Sequence, residues 1–275
     1  MTSPTAAPLE RFTDIVALEP HGIDTFVGVS PTYPWVRVYG GQVVAQALKA
    51  AMATVDEVYR LHSLHGYFIR GGTSDEPIRF EVDRIRNGRS FLTRLVVARQ
   101  SNGAIFNLSA SFHVEEGDVD VASRTLPEGI PDPDELDGDD WSPTMMRRPV
   151  PSDAIGGRTG VWIKVVGPLG DDPAVHQLAL AYASDDVPYD AAASVLPERG
   201  SGDEAMDAFI GASLDHSLWF HRAGRADDWQ LHLLEPMGYA NNRGLAFGQV
   251  FSRSGVHLAS VTQEIVLRPN KNIGG

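Results

Sequence analysis

Residues 40–53 read GGQVVAQALKAAMA, and Val43, Val44, Ala47 and Leu48 recur there at helical spacing behind a glycine pair. Nothing inside the stretch breaks a helix. Its surface is small and apolar on most sides, so the pattern predicts a helix buried by its surroundings rather than one resting on a surface. Four segments of strand character follow, at residues 61–69, 78–85, 90–99 and 104–114. Turn signals separate them, among them Arg86-Asn87-Gly88-Arg89 and Ser101-Asn102-Gly103. One helix followed by an antiparallel meander is the simplest topology.

The second half of the chain repeats that order. Residues 161–166 read as a strand and residues 172–185 as a helix, with Asp172 as its cap and Pro173 in its first turn. Further strands start near Ala212, Trp229, Arg243 and Val256. His62-Ser63-Leu64 matches His216-Ser217-Leu218, and Arg89 and Arg243 each lie 27 residues beyond the matched histidine. A sheet wrapped around one apolar helix, occurring twice, is the double hotdog arrangement, of α+β class. Residues 9–116 form the first unit and 155–269 the second, joined by a Pro-, Asp- and Glu-rich linker at 117–154.

Composition excludes several functions. A formal net charge of -13 disfavours a nucleic-acid surface, which needs clustered cations. The absence of cysteine removes disulfides, thiolate catalysis and Cys-based metal sites, and no His/Asp/Glu cluster suggests a metal. No run approaches the roughly 18 apolar residues of a membrane span, and residues 1–10 lack the features of a signal peptide. These features point to a cytoplasmic protein.

Three strings place polar groups where the local pattern calls for burial: LALAYASDD (178–186), ASLDHSLWFH (212–221) and ASVTQEIVL (259–267). Asp185 ends an Ala/Leu helix, where the dipole disfavours an anion, although a solvated helix end is an equal reading. Ser213 precedes a strand and reads as a turn hydroxyl on local grounds. Gln263 reads locally as an outward strand position. His65 and His216 lie beside aromatic residues and read first as core histidines, with a place in a cleft as the second reading.

Together with HSLHGYFIRGG (62–72), RNGRSF (86–91) and NGAIFNLSASF (102–112), these strings resemble the acyl-CoA thioesterase II family, bacterial double-hotdog enzymes of the TesB type. The likeness spans residues 9–269. It implies an Asp185, Ser213 and Gln263 triad, with serine where the family often carries threonine. Asp185 would act as general base on a water that Ser213 and Gln263 hold for direct attack on a thioester. Gly40 and Gly41, at a helix start, would supply oxyanion donors, and His65 would contact substrate. Arg86, Arg89, Arg222 and Arg243 are candidates for the CoA phosphates. The resemblance implies no cofactor beyond the CoA of the substrate.

Two other functions compete. Asp172 and His176 echo the pair of a hotdog enoyl-CoA hydratase, and a non-catalytic acyl-CoA-binding protein would keep the fold without turnover. Exposed sheet edges in such a fold predict a homo-oligomer, a dimer or higher.

Overall fold

The computed structural model describes residues 11–117, 119–196 and 209–270. The signal-peptide expectation for residues 1–10 lies outside them. The first half carries α1 (Phe12–Ile15), β1 (Glu19–Pro20), β2 (Thr25–Gly28) and α2 (Gly40–Met52), then β3 (Tyr59–Phe68), β4 (Ile78–Asn87), β5 (Phe91–Gln100) and β6 (Gly103–Val114). The second half carries β7 (Met145–Val150), β8 (Thr159–Val165), α3 (Pro173–Ala183), α4 (Pro188–Ala193), β9 (Phe209–Ser213) and β10 (Asp215–Phe220). It ends with β11 (Gln230–Ala240), β12 (Arg243–Ser252) and β13 (His257–Pro269). The expected helix-then-meander order is present in both halves. No described helix is long and apolar enough to cross a membrane.

All described strands join one antiparallel sheet in the order β1-β2-β4-β5-β6-β3-β10-β13-β12-β11-β8-β7, with β9 also paired to β13. The seam between the halves is the β3–β10 pair, in which Leu64 stands directly opposite Leu218. Those are the two leucines that the internal repeat aligns. A matched pair facing itself is what a local two-fold axis between units requires. The structure is therefore a double hotdog.

In the first unit α2 packs against β2, β4, β5 and β6; in the second α3 packs against β8 and α4 against β11, β12 and β13. Along α2 the side chains of Val43, Val44, Ala47 and Leu48 are buried, and along α3 those of Leu178, Ala179, Leu180 and Ala181. Truncating Leu48 to Ala would cost about 2–5 kcal/mol through lost transfer energy and a residual cavity. The two helices also touch each other, because Gly41 has no side chain: a Cβ there would sit 2.2 Å from the Tyr182 carbonyl oxygen. Tyr39 closes the same contact by donating its hydroxyl to that carbonyl at 2.9 Å. The crossing brings the start of α2 against the end of α3.

Two differences from the sequence expectation matter. The stretch 117–154 is not wholly linker, since β7 within it pairs along its length with β8 and forms one edge of the sheet. Its strand pattern is masked by Arg147, a buried cation that ion pairs make tolerable there. Secondly, Ser213, which precedes strand β10 as expected, also ends a short strand of its own, β9. Between Ser213 and Ser217 the chain holds one residue more than its partner does between Ile265 and Thr262. The resulting bulge separates β9 from β10 and turns neighbouring side chains in different directions.

Candidate active site

Asp185 lies just past α3, whose C-cap is Ser184. It is one of two adjacent carboxylates with opposite surroundings. Asp186 receives Arg147 Nε at 2.7 Å and the Trp141 indole N–H at 2.7 Å. Among the described residues Asp185 receives no cation. Its Oδ1 accepts from Gln263 Nε2 at 2.9 Å and from the Ser213 hydroxyl at 3.2 Å. Gln263 Nε2 also donates to Ser213 Oγ at 2.6 Å. The three polar groups singled out in separate strings thus form one hydrogen-bonded cluster.

Burial pushes the Asp185 carboxyl up to about 7, opposed by the hydrogen bonds from Gln263 and Ser213, raised further by Asp186, and lowered by the Gly41 backbone N–H. Burial raises Asp186 as well, but the Arg147 charge pulls it back. An unpaired carboxylate beside a paired one is the pattern that separates a working base from a structural anion. A proton affinity near neutrality is also what a general base at physiological pH needs.

Fold and bulge together explain the cluster. Gln263 is central in β13 and fully buried. Ser213 reaches it because β9 pairs with β13 opposite Ile265 before the bulge. Asp215, two residues further on, instead turns back to accept the Glu264 backbone N–H at 2.7 Å. A serine-histidine-aspartate nucleophile from this strand is thereby ruled out: the histidine after Asp215, His216, points to Gln263 Oε1 and Ser184.

The carboxylate opens onto a cavity of about 930 Å³ lined by residues from both halves. Its walls are largely apolar and aromatic, with Trp35, Val38, Tyr39, Val43, Phe68, Ile105, Trp141 and Leu214 among them. Trp35 and Trp141 lie 5.0 Å apart, centroid to centroid, and Tyr39 packs on Trp141 at the same distance. Two exposed arginines, Arg37 and Arg70, also line the cavity.

Several expected site residues are placed elsewhere. His65 is exposed on the outer face of β3, edge-on to the Trp219 ring at 5.1 Å. The strand alternation that buries Leu64 turns His65 outward. Arg222 is tied to Asp120 and to the His257 carbonyl, and Arg243 to Glu264 at 2.8 Å. Arg86 and Arg89 sit at the β4–β5 hairpin, and none of these four arginines lines the cavity. Gly40 and Gly41 do reach the site, but as neighbours of Asp185: the Gly41 N–H acts on its carboxylate. The cation-bearing segments, 34–37 and 69–72, have loop composition, and only their fold across the cavity mouth reveals them.

The Asp172 and His176 pair has structural work. Asp172 accepts from the Ala174 N–H at 2.9 Å as helix cap, and His176 bridges the Gly170 carbonyl and the Ala226 N–H. Neither residue lines the cavity.

The fold and this site together define a hotdog thioester hydrolase of the double-unit kind. The family model described as "Acyl-CoA thioesterase N-terminal domain" matches residues 30–113, and that described as "Acyl-CoA thioesterase" matches residues 134–266. The chain is similar to acyl-CoA thioesterase 2 of Haemophilus influenzae, at 32% identity over 94% of each chain. Among solved structures it resembles an acyl-CoA thioesterase II, TesB2, from Mycobacterium marinum, with a TM-score of 0.83 and 36% identity over 94% of this chain and 99% of that one. A hotdog-fold protein of Alicyclobacillus acidocaldarius shares the fold, at TM-score 0.75 and 20% identity over 94% and 97% of the two chains. The chain belongs to the acyl-CoA thioesterase family.

Proposed function

We propose that the chain hydrolyses fatty acyl-CoA to free fatty acid and CoA, using Asp185 as general base without a covalent enzyme intermediate. The observation that carries this reading is the buried, cation-free carboxylate at a large apolar cavity, hydrogen-bonded by Ser213 and Gln263. A water held by Ser213 and Asp185 attacks the thioester carbonyl carbon as Asp185 takes its proton. The carbon–sulfur bond then breaks, and the proton passes to the CoA sulfur, leaving acid and thiol. A thioester is electrophilic enough for this direct route when the water is oriented.

The apolar walls suit the acyl chain, and Arg37 and Arg70 at the mouth suit the CoA phosphates, replacing the four arginines expected from the sequence. The structural bonds of Asp172 and His176 speak against the hydratase alternative. We further assign the protein to the cytoplasm, to lipid and fatty acid metabolism, and to a homo-oligomer whose subunits cover exposed sheet surface. Sedimentation of the purified chain tests the last point, a monomer being the contrary result.

The test of function is release of free thiol from a saturated acyl-CoA. The wild type is expected to release it, and Asp185→Asn to lower turnover by roughly 100- to 10,000-fold. Near-normal turnover in that variant would remove Asp185 as base. Tight acyl-CoA binding by the wild type with no thiol release would instead indicate a binding protein.

A further inference from the structure

Gln263 can work in the cluster in one orientation only. Its Nε2 faces Asp185 Oδ1 and Ser213 Oγ, and its Oε1 faces His216 Nδ1. A half-turn of the amide would set one acceptor oxygen against another and leave the serine hydroxyl without its donor. A charged Asp185 disfavours the turned amide. A protonated Asp185 does not, because its O–H donates equally well to an amide oxygen. Asp185 takes a proton in every turnover, so the carboxylate by itself does not hold the amide through the reaction.

His216 supplies the missing constraint. It is fully buried, and its Nε2 lies 2.8 Å from the hydroxyl of Ser184, the residue immediately before Asp185. The Ser184 hydroxyl lies 3.0 Å from the Ala181 carbonyl as well, so that residue does not fix the ring tautomer. The Gln263 oxygen does: with the ring neutral, the proton on Nδ1 faces Oε1, and Nε2 accepts from Ser184. We infer that His216 is a positioning residue that donates to Gln263 Oε1 and so holds the amide in its donating orientation. This inference rests on the proposed Asp185, Ser213 and Gln263 triad.

The first unit provides an internal comparison. His62 occupies the matched position in β3, and its Nε2 lies 2.8 Å from Ser111 Oγ. Ser111 stands where the repeat places Gln263. A hydroxyl rotates to suit its neighbours and needs no such lock. The histidine-to-strand contact is present in both halves, but only in the second does it meet an amide whose direction matters.

The experiment measures kcat and KM for thiol release in His216→Leu, His216→Asn, Gln263→Ala and the double variant His216→Leu/Gln263→Ala. His216→Leu is expected to lower kcat by roughly 10- to 100-fold, with KM within about twofold, as small misplacements of a reacting group do. His216→Asn should recover most of the loss, since its Nδ2 donor occupies the place of the ring Nδ1. In the Gln263→Ala background, His216→Leu should cost nothing further, because residues acting through one group are not additive. Equal losses in both backgrounds, or unchanged kcat in a folded His216→Leu protein beside an impaired Gln263→Ala, would overturn the inference. Wild-type turnover in Gln263→Ala would overturn the triad itself, a separate result. Should the leucine variant fail to fold, His216→Phe carries the same test: a drop in kcat present with Gln263 and absent without it supports the lock, and no drop overturns it.

Discussion

A Cβ placed on Gly40 would lie 2.5 Å from Oδ2 of Asp185, so the bare backbone at the start of α2 forms the floor on which the carboxylate rests. The Phe68 ring stands 3.0 Å from the same point and blocks retreat in that direction. Asp185 is held on its other side by Gln263 and Ser213 and has little freedom to give way. Gly40→Ala is therefore predicted to lower kcat by roughly 10- to 100-fold. Alanine has the higher helix propensity, so the loss should not come from unfolding. Thermal melting alongside the thiol assay separates the two, and wild-type kcat in the variant would contradict the contact.

The pH dependence of activity follows from the carboxyl raised to about 7. Only the ionised form accepts a proton, so kcat/KM is predicted to climb with pH and reach half its maximum near 7. A midpoint near the ordinary carboxylate value of 3.8 would contradict the burial argument.

Stability carries the opposite sign at the same group. Because folding raises the Asp185 pKa, the native state binds the proton more tightly than the unfolded chain. That contribution is complete below about pH 4 and is lost as pH rises through about 7. Asp185→Asn has no charge to bury, so its melting temperature should exceed that of the wild type by more at pH 8 than at pH 5. An equal difference at both pH values would count against the raised pKa.

Arg37→Ala and Arg70→Ala are each predicted to raise KM for acyl-CoA by roughly 3- to 10-fold with little change in kcat, the range expected for exposed charge-assisted contacts. The effect should shrink with added salt. Arg222→Ala and Arg243→Ala remove side chains already paired with Asp120 and Glu264, away from the cavity, and should leave KM unchanged. Steady-state kinetics at two ionic strengths check both halves of this prediction.

His232, in β11, is fully buried, and neither ring nitrogen has a hydrogen-bond partner among the described residues. An unsatisfied buried polar group costs about 1–3 kcal/mol, so His232→Leu should stabilise the fold by a similar amount. Burial pushes the ring pKa down to about 3, while the unfolded chain takes up a proton near 6.5. The wild type therefore loses stability as pH falls below about 6.5, and the advantage of the leucine variant should widen there. Denaturant midpoints at pH 7.5 and 5.5 test the trend.

Much of this was legible in the chain. The helix of residues 40–53 and the four strands after it follow from apolar spacing and turn chemistry, and their observed limits differ by one or two residues. The strand β7 was hidden because Arg147 and Arg148 interrupt its apolar pattern, and a buried arginine is intelligible only with Asp186 and Asp139 beside it. His65 was misplaced because strand alternation does not say which face is inside. The four arginines were misjudged because cations at turns look alike until their carboxylate partners are known.

By itself the sequence determined the two long helices and most of the long strands, that the unit occurs twice, and that only the second copy holds a carboxylate, a hydroxyl and an amide, because these depend on local periodicity and residue type. The tertiary structure decided that the three meet. Asp185, Ser213 and Gln263 come from a helix end, a bulged strand and the strand beside it, and the first and last are 78 positions apart. It also decided that Gly40 and Gly41 from the other unit complete the site, since a two-fold seam at Leu64 and Leu218 carries α2 across to the end of α3. Burial, and with it the shift of Asp185 toward neutrality, exists only once those distant segments have closed around the carboxylate.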